Sequence, residues 1–128
     1  NLRAGTLNSR VRNPVRTIMF ADAALPQDAY IIEYGFLEPP LFPSPEFPQG
    51  NPAFGNSSPS IHFRHYGRVN VLWADGHISS ERFSWTTDLN IYGARNAAWS
   101  VGWFGPKSNY FFDSGDKAAY QNDEFTRD

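Results

Sequence analysis

The stretch that most constrains the fold is Arg68-Val-Asn-Val-Leu-Trp-Ala74, where apolar side chains recur at every second position until the chain meets Asp75-Gly76. A period of two puts successive side chains on opposite faces of a strand. Asp-Gly suits a two-residue type I′ turn, because both central residues of that turn take positive φ. The partner strand is then His77-Ile-Ser-Ser-Glu-Arg-Phe83. A two-residue turn sets Trp73 opposite Ile78, Val71 opposite Ser80 and Val69 opposite Arg82. Val69, Val71, Trp73 and Ile78 are expected to point inward, and His77 outward with Asn70, Leu72, Ser79 and Glu81.

The rest of the composition agrees with β structure. Twenty Gly plus Pro, 16% aromatic residues and 19% charged residues favour a turn-rich sheet over a helical bundle. The expected class is α+β, dominated by an antiparallel sheet with low helix content, in one domain spanning 1–128. With no cysteine, stability has to come from packing. A net charge of −2 offers no basic field, so no nucleic-acid partner is expected. The charge is unevenly placed: Arg3, Arg10, Arg12 and Arg16 come first, and Asp22, Asp28, Glu33, Glu38 and Glu46 follow before any further cation at Arg64. A solvated basic arm is the simple reading; attraction to the acidic stretch or to a polyanion is the alternative.

Val15 to Ala21 reads as a strand after Pro14, and Tyr30 to Phe36 as a second. Seven of the ten prolines then fall in a loop over 39–59, interleaved with Phe42, Phe47 and Phe54. Either these phenylalanines plug back onto the sheet, or they form a protruding contact surface. On the second reading, excising 41–57 would leave a folded domain. Further on, Asp88 to Ala98 suggests a helical turn, Trp99 to Phe104 a strand broken at Gly102, and Tyr110 to Asp113 a last short strand. The segment after it reads as an irregular polar tail.

Chemistry-bearing side chains are sparse. His62, His65 and His77 surround Asp75 in sequence, but an extended 68–74 would put His65 and Asp75 roughly 30 Å apart along the strand. That span argues against a shared metal ion and removes a His65–Asp75 catalytic pair, so no metal site is expected there; a metal-dependent hydrolase would need His62, His65, Asp75 and His77 to converge. Nucleophile-elbow, phosphate-loop and zinc-protease motifs are absent from the sequence, which points away from an enzyme. Asp113 and Asp116 lie on a turn and are a weak candidate for calcium; no other cofactor is expected. Four tryptophans, at 73, 85, 99 and 103, keep a carbohydrate-binding or other aromatic-based interaction domain open as an alternative, since stacked sugars need exposed rings. Alternation assigns Trp73 to the core and leaves Trp99 and Trp103 undecided.

The segment Phe63-Arg-His-Tyr-Gly-Arg-Val-Asn-Val-Leu-Trp-Ala-Asp-Gly-His77 resembles the H-X9-DG signature of bacterial prepilin-type processing-associated domains, which are similar to type II secretion pseudopilins. His65 stands at the motif's His and Asp75-Gly76 close it, with Gly67 and Asn70 at its internal positions. Pro14 to Asp22 resembles the family's upstream block, except that Val15 stands where Ser is usual.

What the resemblance implies is a non-catalytic structural subunit of a pseudopilus or type IV pilin-like assembly. Its members have an apolar N-terminal helix, anchored in the bacterial inner membrane and later packed in a filament, so this chain is read as a periplasmic or cell-surface head. Its partners would be other pilin-like subunits and secretion-system proteins. The calcium loop of major pseudopilins has no counterpart in the tail. His65 and Asp75 are expected to hydrogen-bond to nearby backbone and hold the two ends of one strand, with Phe42, Phe47 and Phe54 as the contact loop.

Overall fold

The computed structural model describes residues 8–42, 44, 46, 47, 50–113 and 115. Its central element is the strand expected from the alternation. Following the strands β1 (Ile18–Ala21), β2 (Ala24–Pro26), β3 (Ile31–Glu33) and β4 (Ile61–His62), β5 runs from Arg68 to Trp73 and β6 from Ile78 to Arg82. β5 is flanked by β1 and β6, both antiparallel to it. Val69, Val71 and Trp73 are buried, as the period-two pattern requires.

The turn that follows β5 differs from the expected one. Trp73 N–H donates to the His77 carbonyl (3.0 Å) and Gly76 N–H to the Trp73 carbonyl (2.9 Å), which closes a three-residue loop, Ala74-Asp75-Gly76. Gly76 has φ +92°, and Asp75 is not among the positive-φ residues. This is the three-residue hairpin with glycine in the left-handed position. The extra residue shifts the register by one: Leu72 faces Ile78, Val71 faces Ser79 and Val69 faces Glu81. Ile78 therefore points outward, 71% exposed, in a row with Leu72 and the 65%-exposed Phe20.

A two-residue turn does occur, at the other end of β5. His65 and Arg68 exchange both backbone hydrogen bonds (3.0 and 3.1 Å) across Tyr66 and Gly67, whose φ angles are +55° and +79°. Those angles are the type I′ pattern, with a fully exposed tyrosine in the place that Asn usually fills.

The core joins this sheet to a second strand pair. β4 pairs with β7 (Val101–Gly102) and β2 with β3, both antiparallel. Ile61, Phe63, Val69, Val71, Trp73, Trp103 and Phe104 form one buried cluster, edged by Phe83, Trp85 and Phe111. Its rings meet mostly edge to face, as in Phe63–Phe83 (5.3 Å, 81°) and Trp73–Phe111 (5.2 Å, 85°). Of the strand expected over Trp99 to Phe104 only Val101–Gly102 forms, and it ends at Gly102, where a Cβ would run into the Trp85 carbonyl and the Phe83 ring, so glycine is what lets the chains approach.

Three other expectations change. Tyr110 to Asp113 is a turn, although the Phe111 carbonyl accepts Ile18 N–H (2.8 Å). Between Asp88 and Ala98 the chain makes a tight loop around Asn90, whose Oδ1 accepts the N–H groups of Tyr92 and Ala94, and helical geometry begins only at Ala97. Every helix among the described residues is a three-residue 3-10 turn. The domain is β-dominated with antiparallel sheets, and the α part of the α+β class does not occur among the described residues.

The long loop is tied down at both ends. Asn109 clamps Leu41 with two buried hydrogen bonds of 2.8 Å, Ser60 Oγ donates to the Phe36 carbonyl, and Trp103 Nε1 donates to the Glu38 carbonyl. Leu41 plugs the base of the loop as its buried apolar side chain, whereas Phe42, Phe47 and Phe54 are all exposed and none packs back onto the core. Excising 41–57 would remove that plug and its clamp, so the excision is no longer expected to leave the domain intact.

The register predicts opposite outcomes for two substitutions. Val71→Ala should cost about 2 kcal/mol in urea unfolding, whereas Ile78→Thr should stay within about 0.5 kcal/mol of the parent. A comparable loss for both would restore the two-residue register.

Candidate functional site

The motif residues gather at the two ends of β5. At the first end the type I′ turn carries His65 out of β4 and lets its ring reach back to Asp22, just after β1, with Nε2 3.0 Å from Oδ2. The expected partner was nearby backbone; the observed partner is a carboxylate 43 positions away. The backbone of Asp22 is fixed independently, since its carbonyl accepts His62 N–H (2.9 Å). Arg64 completes the group: its Nη1 lies 4.0 Å from Asp22 Oδ1, its Nη2 donates to the Ala23 carbonyl (3.3 Å), and its Nε donates to His62 Nδ1 (3.1 Å). Burial, and then the nearby Arg64 cation, hold the His62 pKa below the usual imidazole value.

At the second end, Asp75 Oδ1 accepts His77 N–H at 3.0 Å and also contacts His77 Nδ1. The backbone hydrogen bond expected for Asp75 is thus present. The His77 ring lies flat on Trp73, with centroids 5.6 Å apart and planes 4° apart. The His77 backbone N–H, and then its ring, hold the Asp75 carboxyl below the usual carboxylate range. Gly67 and Gly76 each supply a positive φ that their turns require. Asn70 lies on the outward face of β5 opposite Ser80, exposed.

Neither imidazole–carboxylate pair extends into a reacting group among the described residues. Ser79, on the His77 side of β6, is occupied by Trp73 Nε1 (2.7 Å) and Glu81 (3.0 Å). No three His, Asp or Glu side chains among the described residues converge to hold a metal ion. Asp113 accepts the Gly115 N–H (2.8 Å), and Asp116, the other half of the calcium candidate, lies outside the described residues. Trp103 is fully buried with Trp85 against it (4.5 Å between centroids), and Trp99 is half-buried. An open groove of about 820 Å³ runs between β1 and residues 33–37, lined by Met19, Phe20, Phe36, Asp22, Glu33 and Arg64.

The sequence reading named every motif residue at the β5 ends but missed Asp22 and Arg64 as partners of the histidines. Asp22 closes the upstream block and His65 opens the signature, so the two blocks that carry the resemblance meet in space. Compared with protein-family models, with curated proteins and with solved structures, the chain gives no match.

Because the folded state favours ionised Asp75, this stabilisation is present above the ordinary carboxylate pKa of about 3.9 and fades as pH falls through the lower folded value. Asp75→Asn should lower the melting temperature at pH 7, and its difference from the parent should close in strong acid. A gap that persists undiminished to pH 2 would show that the charge of Asp75 contributes nothing.

Proposed function

We propose that this chain is the head of a non-catalytic, pilin-like structural subunit, of a type II secretion pseudopilus or a related assembly. The observation that carries the reading is the use of the H-X9-DG residues. His65 clamps one end of the core strand, Asp75 fastens the other, and Gly67 and Gly76 shape the two turns. A signature spent on strand ends marks a fold rather than a reaction. It therefore supports the structural role that the resemblance implies.

Assembly would run through the family's apolar N-terminal helix, with the head on the periplasmic side of the inner membrane or at the cell surface. No helix among the described residues is long and apolar enough to cross a membrane. The head would contribute lateral contacts through Phe42, Phe47 and Phe54, three exposed rings on a loop whose ends are pinned. A sugar-binding domain is the second reading, but Trp73 and Trp103 lie in the core and cannot form its platform.

Two experiments test the assignment. In the source cell, inactivating prepilin peptidase should raise the mass of the protein by an uncleaved basic leader; an unchanged mass would sink the pilin reading. Replacing Phe42, Phe47 and Phe54 together by Ser should keep the unfolding free energy in urea within about 1 kcal/mol of the parent while weakening cross-linking to neighbouring subunits. Undiminished cross-linking would remove the loop as a contact surface.

A further inference from the structure

Asp22 sits where two open grooves meet. The larger, about 820 Å³, has Arg64 at its rim, and the smaller, about 370 Å³, has His65. The carboxylate turns one oxygen to each: Oδ1 is 4.0 Å from Arg64 and Oδ2 is 3.0 Å from His65. A third group governs how firmly Arg64 is held. Its Nε–H donates to His62 Nδ1 at 3.1 Å, and that nitrogen accepts only while it carries a lone pair, in the neutral imidazole protonated at Nε2.

A proton added to His62 removes the acceptor and sets a second positive charge beside the guanidinium. His65 Nε2 lies 3.0 Å from the other carboxylate oxygen, so Asp22 keeps that partner when Arg64 is released. We infer a pH-linked exchange at Asp22 from two partners to one: neutral His62 holds Arg64 toward the carboxylate, and protonation of His62 releases Arg64 Nε and leaves the carboxylate to His65. The groups that face His62 act in both directions. Burial, Arg64 and His65 oppose its protonation, while Asp22 and the Trp99 backbone favour it. Glu33 lines the same groove as Asp22 and Arg64. The exchange changes the charge at the rim of the larger groove without moving a strand.

The exchange belongs to the isolated domain and does not depend on the assembly proposed above. Side-chain NMR of the 15N-labelled protein tests it. At pH 7.5 His62 Nδ1 should appear as the unprotonated ring nitrogen, with the Arg64 Nε–H signal displaced from those of free arginines. Taking the pH to 5 should move that signal toward the free position, following the His62 ring with a midpoint below that of an unperturbed imidazole. His62→Gln, which can present an acceptor oxygen but cannot titrate, should abolish the movement. The inference is overturned if Arg64 moves identically in His62→Gln, if it fails to follow His62 in the parent, or if Nδ1 is protonated at pH 7.5. This last observation needs no variant, so it decides even if His62→Gln does not fold.

Discussion

Burial of one face of β5 is the constraint on which the other elements depend. Val69, Val71 and Trp73 are almost completely removed from water, and each such side chain contributes roughly 1.5–3 kcal/mol of transfer free energy. A six-residue strand cannot bury that face alone. β1 and β6 complete its backbone pairing on both edges, and the β4–β7 pair brings Ile61, Phe63, Trp103 and Phe104 against it. Once that face is committed, the register on both sides is fixed, because a slip of one residue would put Asn70 and Leu72 into the core and expose the valines.

Legibility in the sequence followed the same line. The alternation from Arg68 to Trp73 named the core strand and its inward face correctly, since a period-two pattern is local information. The turn was misread because Asp-Gly serves two hairpin geometries: the two-residue turn needs positive φ at both residues, the three-residue turn only at the glycine. The second geometry is the one adopted, and Ile78 went from core to surface as a result. Tyr66-Gly67 was passed over as a turn because a tyrosine at φ +55° runs against its own preference; the paired hydrogen bonds of His65 and Arg68 impose it. Short strands such as β2 and β4, two or three residues long, carry too little pattern to be read at all.

The site was legible as a set of residues and not as a set of partners. His65, Gly67, Asp75 and Gly76 do lie at strand ends and turns. The Asp22–His65 clamp was invisible because its members are 43 positions apart and come together only when β1 and β4 are both in place. Its energy is small, since both side chains keep a large part of their surface in water and exposed ion pairs contribute 0–1 kcal/mol. The clamp therefore cannot be what folds the domain. It ties the residue after β1 to the turn before β5.

That separation between folding and fixing bears on the outer surface. The sheet's second face presents the row Phe20, Leu72 and Ile78, and β6 is an edge strand that a further strand could join. Arg68 partly closes that edge, its guanidinium bonding the Ser80 carbonyl (3.2 Å) and hydroxyl (3.3 Å). At the opposite edge, β1 borders the larger groove with Met19 and Phe20 exposed. One edge is thus shielded by a cation, while the other, engaged at Ile18 by the Phe111 carbonyl, borders the groove beside Asp22 and Arg64. Asp22 and Arg64 line the groove at that edge, so a change in their pairing alters that surface while the buried face of β5 is unaffected.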